Sequence, residues 1–275
     1  MDRQRKTVVW YSNRLNIMAI PKIIHYCWFG TKEIPPQEKA YIEGWTKMHP
    51  DFKVMFWNEQ NFDVNNAVPY VKQAYEAKKF AFVSDYVRMY ALNKYGGIYF
   101  DTDVELIKPI DKFLGEWFFI GFENKTMLGT GIIGSQPNMW LLQEMMDYYS
   151  KRLFTDKNGN IDTTTNVQIL VRILENHGFV KQNSEQNING VHVFERDYFN
   201  PKKYDEEKFG VTDRTITIHH MAGSWLTERE RKRGTNKFWR NVCRPVLKHI
   251  RSFLMKTMGE SFAKSIEVKL RDKMR

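Results

Sequence analysis

Tyr95-Gly96-Gly97-Ile98-Tyr99-Phe100-Asp101-Thr102-Asp103 reads as a helix stop, a short apolar strand, and two carboxylates delivered to the strand's end. Glycine tolerates the left-handed backbone that closes a helix. Upstream, Val83, Tyr86, Val87, Tyr90 and Ala91 recur at helical spacing, which predicts a helix over Phe80–Lys94. Downstream, Val104–Ile107 reads as a further strand, stopped by Pro109.

Working outward, Ile20–Trp28 and Lys53–Trp57 read as strands, with a helix from Pro35-Pro36 to Met48 between them. Residues 66–78 are expected to be helical. Further on, Trp117–Phe122 and Gly131–Gly134 are expected strands, 138–152 and 166–177 expected helices, and Thr215–Ile218 a last strand before His219-His220. Strands alternating with helices predict an α/β fold, a mainly parallel sheet covered on both faces. Such sheets bind ligands beyond the carboxyl ends of their strands. Trp28, Asp101, Asp103 and His219-His220 are predicted to stand at that edge.

Composition narrows the class. The chain has 275 residues, 42% hydrophobic and 15% aromatic, which excludes a disordered polymer. No run approaches the roughly 18 apolar residues of a membrane-spanning helix. Its 2 cysteines, Cys27 and Cys243, exclude a disulfide framework and make a reducing, cytoplasmic setting the default. Residues 228–275 hold 15 Lys and Arg against 5 acids, and this excess accounts for the whole net charge of +10. The expected organisation is an N-terminal extension at 1–18, a catalytic domain at 19–227 and a basic helical tail at 228–275.

Asp101 and Asp103 are spaced so that both can reach one hard cation, and Mg²⁺ or Mn²⁺ prefers such oxygen ligands. Taken alone, Asp-x-Asp is common and reads more readily as a solvated turn; the Gly-Gly stop and the apolar strand that deliver it to the sheet edge favour the metal site. Imidazole suits Mn²⁺ better than Mg²⁺, so His219 or His220 could complete a site, although a strand-end histidine bonded to backbone is the plainer reading. Asp85 and Arg88 share a helix face, either as an ion pair or as a hydroxyl acceptor beside a phosphate-binding cation. Trp28 is either core packing or a stacking surface for a nucleobase.

Four segments together resemble glycosyltransferase family 32. They are Ile20–Trp28, Ser84-Asp85-Tyr-Val-Arg88-Met-Tyr-Ala-Leu92, Tyr95–Asp103, and His219-His220-Met-Ala-Gly-Ser-Trp225. That family has an Asp-x-Asp sugar-binding region, includes capsular and surface polysaccharide enzymes, and is similar to the catalytic core of glucosylating bacterial toxins. The resemblance implies a glycosyltransferase-A (GT-A) fold, a divalent metal (Mn²⁺ or Mg²⁺), a nucleotide-sugar donor with UDP-sugar as the family preference, and retention of anomeric configuration. By position, Trp28 would stack on the base, and Asp85 and Arg88 would hold ribose, sugar or diphosphate. Asp101 would meet the ribose or a metal-bound water, and Asp103 would ligate the metal. His220, preferred over His219, would stand near the metal, and Ser224 and Trp225 would close on the diphosphate. In the toxin-like relatives an acidic residue occupies the position of this histidine, and the spacing from His220 to Ser224 is one residue longer here. Arg88 and the metal would stabilise the departing diphosphate, and front-face attack by an acceptor hydroxyl is the simplest course.

The acceptor is expected to be an oligosaccharide or a lipid-linked glycan in surface polysaccharide synthesis. Two alternatives stay open: hydrolysis of the nucleotide sugar, and a basic-tailed membrane or nucleic-acid adaptor on a degenerate transferase fold. In Lys237–Met258 the residues Trp239, Val242, Val246, Ile250 and Phe253 share one helical face, opposite Arg240, Arg244, Lys248 and Arg251. Pro245 is expected to kink this helix or split it. A second amphipathic segment is expected over Glu260–Arg271. The pattern suits an anionic membrane surface, at the inner face of the cytoplasmic membrane, better than nucleic acid.

Overall fold

The computed structural model describes residues 19–157, 159–201, 210–223, 236, 238, 242 and 244–259. The expected N-terminal extension, Ser224, Trp225, Trp239, Arg240 and the segment Glu260–Arg271 lie outside the described residues. The chain divides into two compact units, Met1–Ala222 and Gly223–Arg275.

The first unit is built on a seven-stranded sheet in the order β2-β1-β3-β6-β5-β8-β7. Its strands are β1 (Ile23–Cys27), β2 (Lys53–Trp57), β3 (Gly97–Phe100), β5 (Phe118–Phe122), β6 (Leu128–Ser135), β7 (Gln186–Ile188) and β8 (Val191–Phe194). A separate ribbon pairs β4 (Val104–Leu106) with β9 (Thr217–His219). The helices of this unit are α1 (Pro36–Met48), α2 (Pro69–Glu76), α3 (Phe80–Tyr95), α4 (Trp140–Ser150), α5 (Asn166–Asn176) and the short α6 (Arg196–Phe199).

The sheet is mixed rather than mainly parallel. β1 pairs in parallel with β2 and β3, and β5 with β8, whereas β6 runs against β3 and β5, and β7 against β8. The reason is connection length: a parallel return needs a dozen or more residues, and only 123–127 separate β5 from β6. The β7–β8 hairpin was not anticipated, yet its turn is Asn189-Gly190 with both φ positive (50° and 86°), the strongest short-range hairpin signal.

Side-chain alternation along these strands feeds two cores. Tyr99, Phe118, Ile120 and Ile133 join a cluster with α2, α3, α4 and α5. Ile98, Phe100, Phe119 and Ile132 join a second cluster with Trp45 of α1, Val104 and Phe199. Opposite parity puts these clusters on opposite faces. Gly96 (φ 61°) closes α3 as expected, but Gly97 answers a further constraint. A Cβ there would stand 2.6 Å from the Ile23 carbonyl and 3.0 Å from His25 Nε2. His25 is fully buried, bonded to the Gly96 carbonyl (2.8 Å) and accepting from Trp57 Nε1 (3.1 Å). Burial pushes its pKa down to about 4, so it is a neutral core residue.

The second unit contributes helix α7 (Arg244–Met258). Pro245 lies in its first turn, where the missing N–H costs nothing. Val246, Ile250 and Phe253 are 52%, 48% and 66% exposed.

Candidate active site

Strand β3 carries the chain to Asp101 at the carboxyl edge of the sheet, and four ties fold the next residues into a tight turn. The Asp101 N–H donates to the Gly131 carbonyl (2.8 Å) and the Val104 N–H to the Asp101 carbonyl (3.0 Å). From α1, Glu38 accepts a hydrogen bond from Thr102 Oγ1 (2.7 Å), and Trp45 Nε1 donates to the Val104 carbonyl (2.9 Å). Glu38 is only 4% exposed, and burial raises its pKa. Sequence reasoning missed this role, because nothing in the sequence marks which acid of an amphipathic helix turns inward.

Asp101 faces two ways. Its Oδ1 accepts from Arg88 Nη2 and from Tyr99 Oη, both at 3.0 Å. Its Oδ2 would stand 3.2 Å from a Cβ placed on Gly131. The same Cβ would meet His219 Cε1 at 2.9 Å and Nδ1 at 3.0 Å, so the absent side chain of Gly131 is what lets the imidazole approach the acid. His219 Nε2 lies 3.2 Å from Asp103 Oδ1, and the Ala222 N–H donates to Asp103 Oδ2 (2.7 Å).

The histidine beside the acids is therefore His219, where His220 was expected. His219 is the last residue of β9, paired across the ribbon with Val104, so it points back at the carboxylate turn. Successive strand residues face opposite ways. His220 accordingly stacks on Tyr41 (centroids 4.8 Å) and bonds Glu105 (2.9 Å).

Asp101, Asp103 and His219 each offer one ligand atom, all within 4.8 Å of one another. These residues fit a divalent cation. Two hard oxygens and one imidazole are a donor set that suits Mn²⁺, and His219 Nδ1 is buried with no partner among the described residues. Burial works against charge on both partners, but His219 and the Ala222 N–H hold Asp103 below the usual carboxylate range. Asp103, then Asp101 and Glu123, hold the imidazole above its usual value. Carboxylates dominate this edge, which is what a cation site requires.

Arg88 is where the geometry departs furthest from expectation. It is 6% exposed, and its Nη1 is spent on the Thr130 carbonyl (2.6 Å) and Thr130 Oγ1 (3.0 Å). Its Nη2 is spent on Asp101, with Asp85 Oδ1 at 3.4 Å. The guanidinium thus backs Asp101 from beneath instead of reaching out to phosphate, and it lies 4.6 Å over the Tyr99 ring. Asp85 is pushed up to about 6 by burial, against the pull of Arg88. Asn166, at the start of α5, brings its N–H to 3.5 Å from Asp85 Oδ2, and its Oδ1 accepts from Thr130 Oγ1 (3.2 Å). Trp28 follows β1 directly, half-buried, with its indole N–H donated to the Lys32 carbonyl (2.6 Å).

The sequence matches the family described as "Glycosyltransferase sugar-binding region containing DXD motif" over residues 35–119. It is 30% identical over 220 residues to an uncharacterized glycosyltransferase of Acanthamoeba polyphaga mimivirus, a match spanning 75% of this chain and 84% of the relative. The chain belongs to this glycosyltransferase family. Inositol phosphoceramide mannosyltransferase 3 of Schizosaccharomyces pombe is 34% identical over 107 residues, covering 38% of the chain but only 29% of that protein. Among solved structures, PaToxG glycosyltransferase aligns with 62% of this chain and 78% of its own at 19% identity and a TM-score of 0.43. The glycosyltransferase carries its Asp-x-Asp pair at the end of β3, where the apolar strand before it predicts.

Proposed function

We propose that this glycosyltransferase is metal-dependent and moves a hexose or N-acetylhexosamine from a nucleoside-diphosphate sugar to a saccharide acceptor. The observation that carries the reading is the convergence of Asp101, Asp103 and His219 on one point, from strands far apart in sequence. These three residues would hold the cation, and a bound divalent cation supplies positive charge against the diphosphate. Arg88 is a positioning residue for Asp101, with Tyr99 Oη as its second support. Asp85 and Asn166 offer an acceptor and a donor beside them for sugar hydroxyls. Trp28 is the assigned base platform, and Ser224 and Trp225 remain the assigned cover over the diphosphate.

A transferred mannose is suggested by the name of the S. pombe relative, and UDP by the family preference. Since mannose is ordinarily carried on GDP, both bases belong in the test. Retention of configuration rests on the resemblance, as does a role in surface polysaccharide synthesis. The deciding experiment is thermal denaturation with UDP or GDP, with and without Mn²⁺. Binding to the native state alone raises stability by mass action. A Mn²⁺-dependent rise with one nucleotide, abolished in Asp103→Ala, is expected. No rise with either nucleotide would remove the reading.

The tail is assigned to an anionic membrane surface, with the domain boundary near Thr227 and the enzyme at the cytoplasmic face. Val246, Ile250 and Phe253 are exposed on α7 within the segment that holds the whole charge excess. No helix among the described residues is long and apolar enough to cross a membrane. Sedimentation with phosphatidylglycerol vesicles, weakened by salt and lost on truncation after Thr227, is the expected result. Equal binding by the truncated protein would refute the assignment.

A further inference from the structure

Strand β6 has glycine at both 129 and 131, and each leaves room for a different cluster. The space over Gly131 admits His219 and Asp101. Over Gly129 a Cβ would stand 3.0 Å from Asn200 Nδ2 and 3.2 Å from Glu123 Cβ. Residues two apart on a strand are separated by roughly 7 Å, so the second cluster lies about one sugar ring from the first. Thr130, between them, turns the other way, to Arg88 and Asn166. Its neighbourhood is shaped by the register shift between β5 and β6 at Ile120 and Gly121. Such irregularities are common beside active sites, where they re-aim a side chain.

The second cluster has a definite chemical character. Asn200 is 2% exposed, and its Nδ2 donates to the Phe122 carbonyl (3.1 Å), which fixes the orientation of the amide. Its Oδ1 is buried without a partner among the described residues. The half-buried Glu123 carboxylate accepts no hydrogen bond from a described residue, and only its backbone is engaged, the N–H donating to the Met127 carbonyl (2.9 Å). Both free groups carry lone pairs. A phosphate would be repelled by the carboxylate and could not satisfy the amide oxygen, whereas a sugar ring brings neighbouring hydroxyls, one to donate to each acceptor.

We infer that Glu123 and Asn200 form a hydroxyl-binding subsite for a sugar held beside the Asp101–Asp103–His219 cluster. The inference rests on the transferase reading above and extends it to a specificity-determining residue. The hydroxyls belong either to the transferred sugar or to the acceptor, and two arms of one experiment separate these sources. In the first, calorimetry with Mn²⁺ compares UDP, GDP, UDP-glucose and GDP-mannose on the wild type, Glu123→Gln and Gly129→Ala. In the second, transfer to a panel of p-nitrophenyl hexosides is followed for the same proteins.

Glu123→Gln keeps the shape but removes the charge, and Gly129→Ala fills the space while keeping the charge. Affinity for the plain nucleotide is expected to stay within about twofold in Gly129→Ala, and each loss in Glu123→Gln is read relative to that variant's own affinity for the plain nucleotide. A hydroxyl of the donor gives at least a tenfold loss in nucleotide-sugar affinity, and a hydroxyl of the acceptor a tenfold rise in acceptor KM at unchanged donor KM. If neither quantity moves, or no hexoside is used while donor affinity is unchanged, the subsite is overturned. If the wild type binds no nucleotide with Mn²⁺, the transferase-site reading fails first. Glu123→Asp serves should Glu123→Gln not fold, with the same expected signature.

Discussion

Gly131→Ala tests the assembly of the site with a single methyl group. Gly131 has ordinary backbone geometry, so alanine brings no conformational strain, and only the contacts change. The new Cβ would stand 2.9 Å from His219 Cε1, 3.0 Å from His219 Nδ1 and 3.2 Å from Asp101 Oδ2. Relaxing these to ordinary contact needs a movement of about 0.5 Å, and metal ligands tolerate only about 0.2 Å of error. His219 cannot swing away freely, because it is 13% exposed and tied to Asp103. Overpacking of this kind typically costs the fold about 1–3 kcal/mol, a drop of a few degrees in Tm. The metal site should suffer disproportionately, losing at least tenfold in Mn²⁺ affinity, which is about 1.4 kcal/mol. The assay is the electron paramagnetic resonance signal of free Mn²⁺ titrated against protein, paired with thermal melts. Wild-type Mn²⁺ affinity in a folded Gly131→Ala protein would refute the placement of the cation at this cluster.

Three further outcomes are expected. The pKa of His219 is raised above 6.5 in the metal-free protein. Its contribution to stability is thus complete below pH 6.5 and is lost as pH rises through the folded value, while Mn²⁺ affinity rises over that window because the cation displaces the proton. Mn²⁺ titrations between pH 5.5 and 8 check this, and a flat profile would exclude His219 as a ligand. Asp85, pushed up to about 6 from 3.8, costs stability wherever it is ionised. Asp85→Asn should therefore raise the Tm of the metal-free protein most at pH 8 and hardly at all near pH 4, while weakening nucleotide-sugar binding; a lower Tm at pH 8 would contradict the sign. In Glu38→Leu and Thr102→Val the tie between α1 and the carboxylate turn is cut, and each should lower Mn²⁺ affinity severalfold. The double variant should be no worse than either, since both remove one hydrogen bond, and additive losses by the same Mn²⁺ titration would show that the two residues act separately.

Much of the architecture is local and was legible in the sequence. The apolar period of 80–94, the Gly96-Gly97 stop and the carboxylates after Phe100 follow from chain-level rules that need no partner. So does the charge division at the tail, which is simple summation. Tertiary structure alone decided which histidine stands with the acids. His219 and His220 are chemically identical, and only the ribbon pairing of Val104 with His219 selects one of them. Tertiary packing likewise buried Arg88 beneath Asp101, turned Glu38 inward, and set Glu123 and Asn200 over a glycine. Periodicity tells which face of an element is apolar, but a polar side chain takes its role from the groups that other segments bring within hydrogen-bonding distance. Those groups lie as far as 119 positions away in sequence, between Asp103 and Ala222, and only the folded chain measures that gap in ångströms.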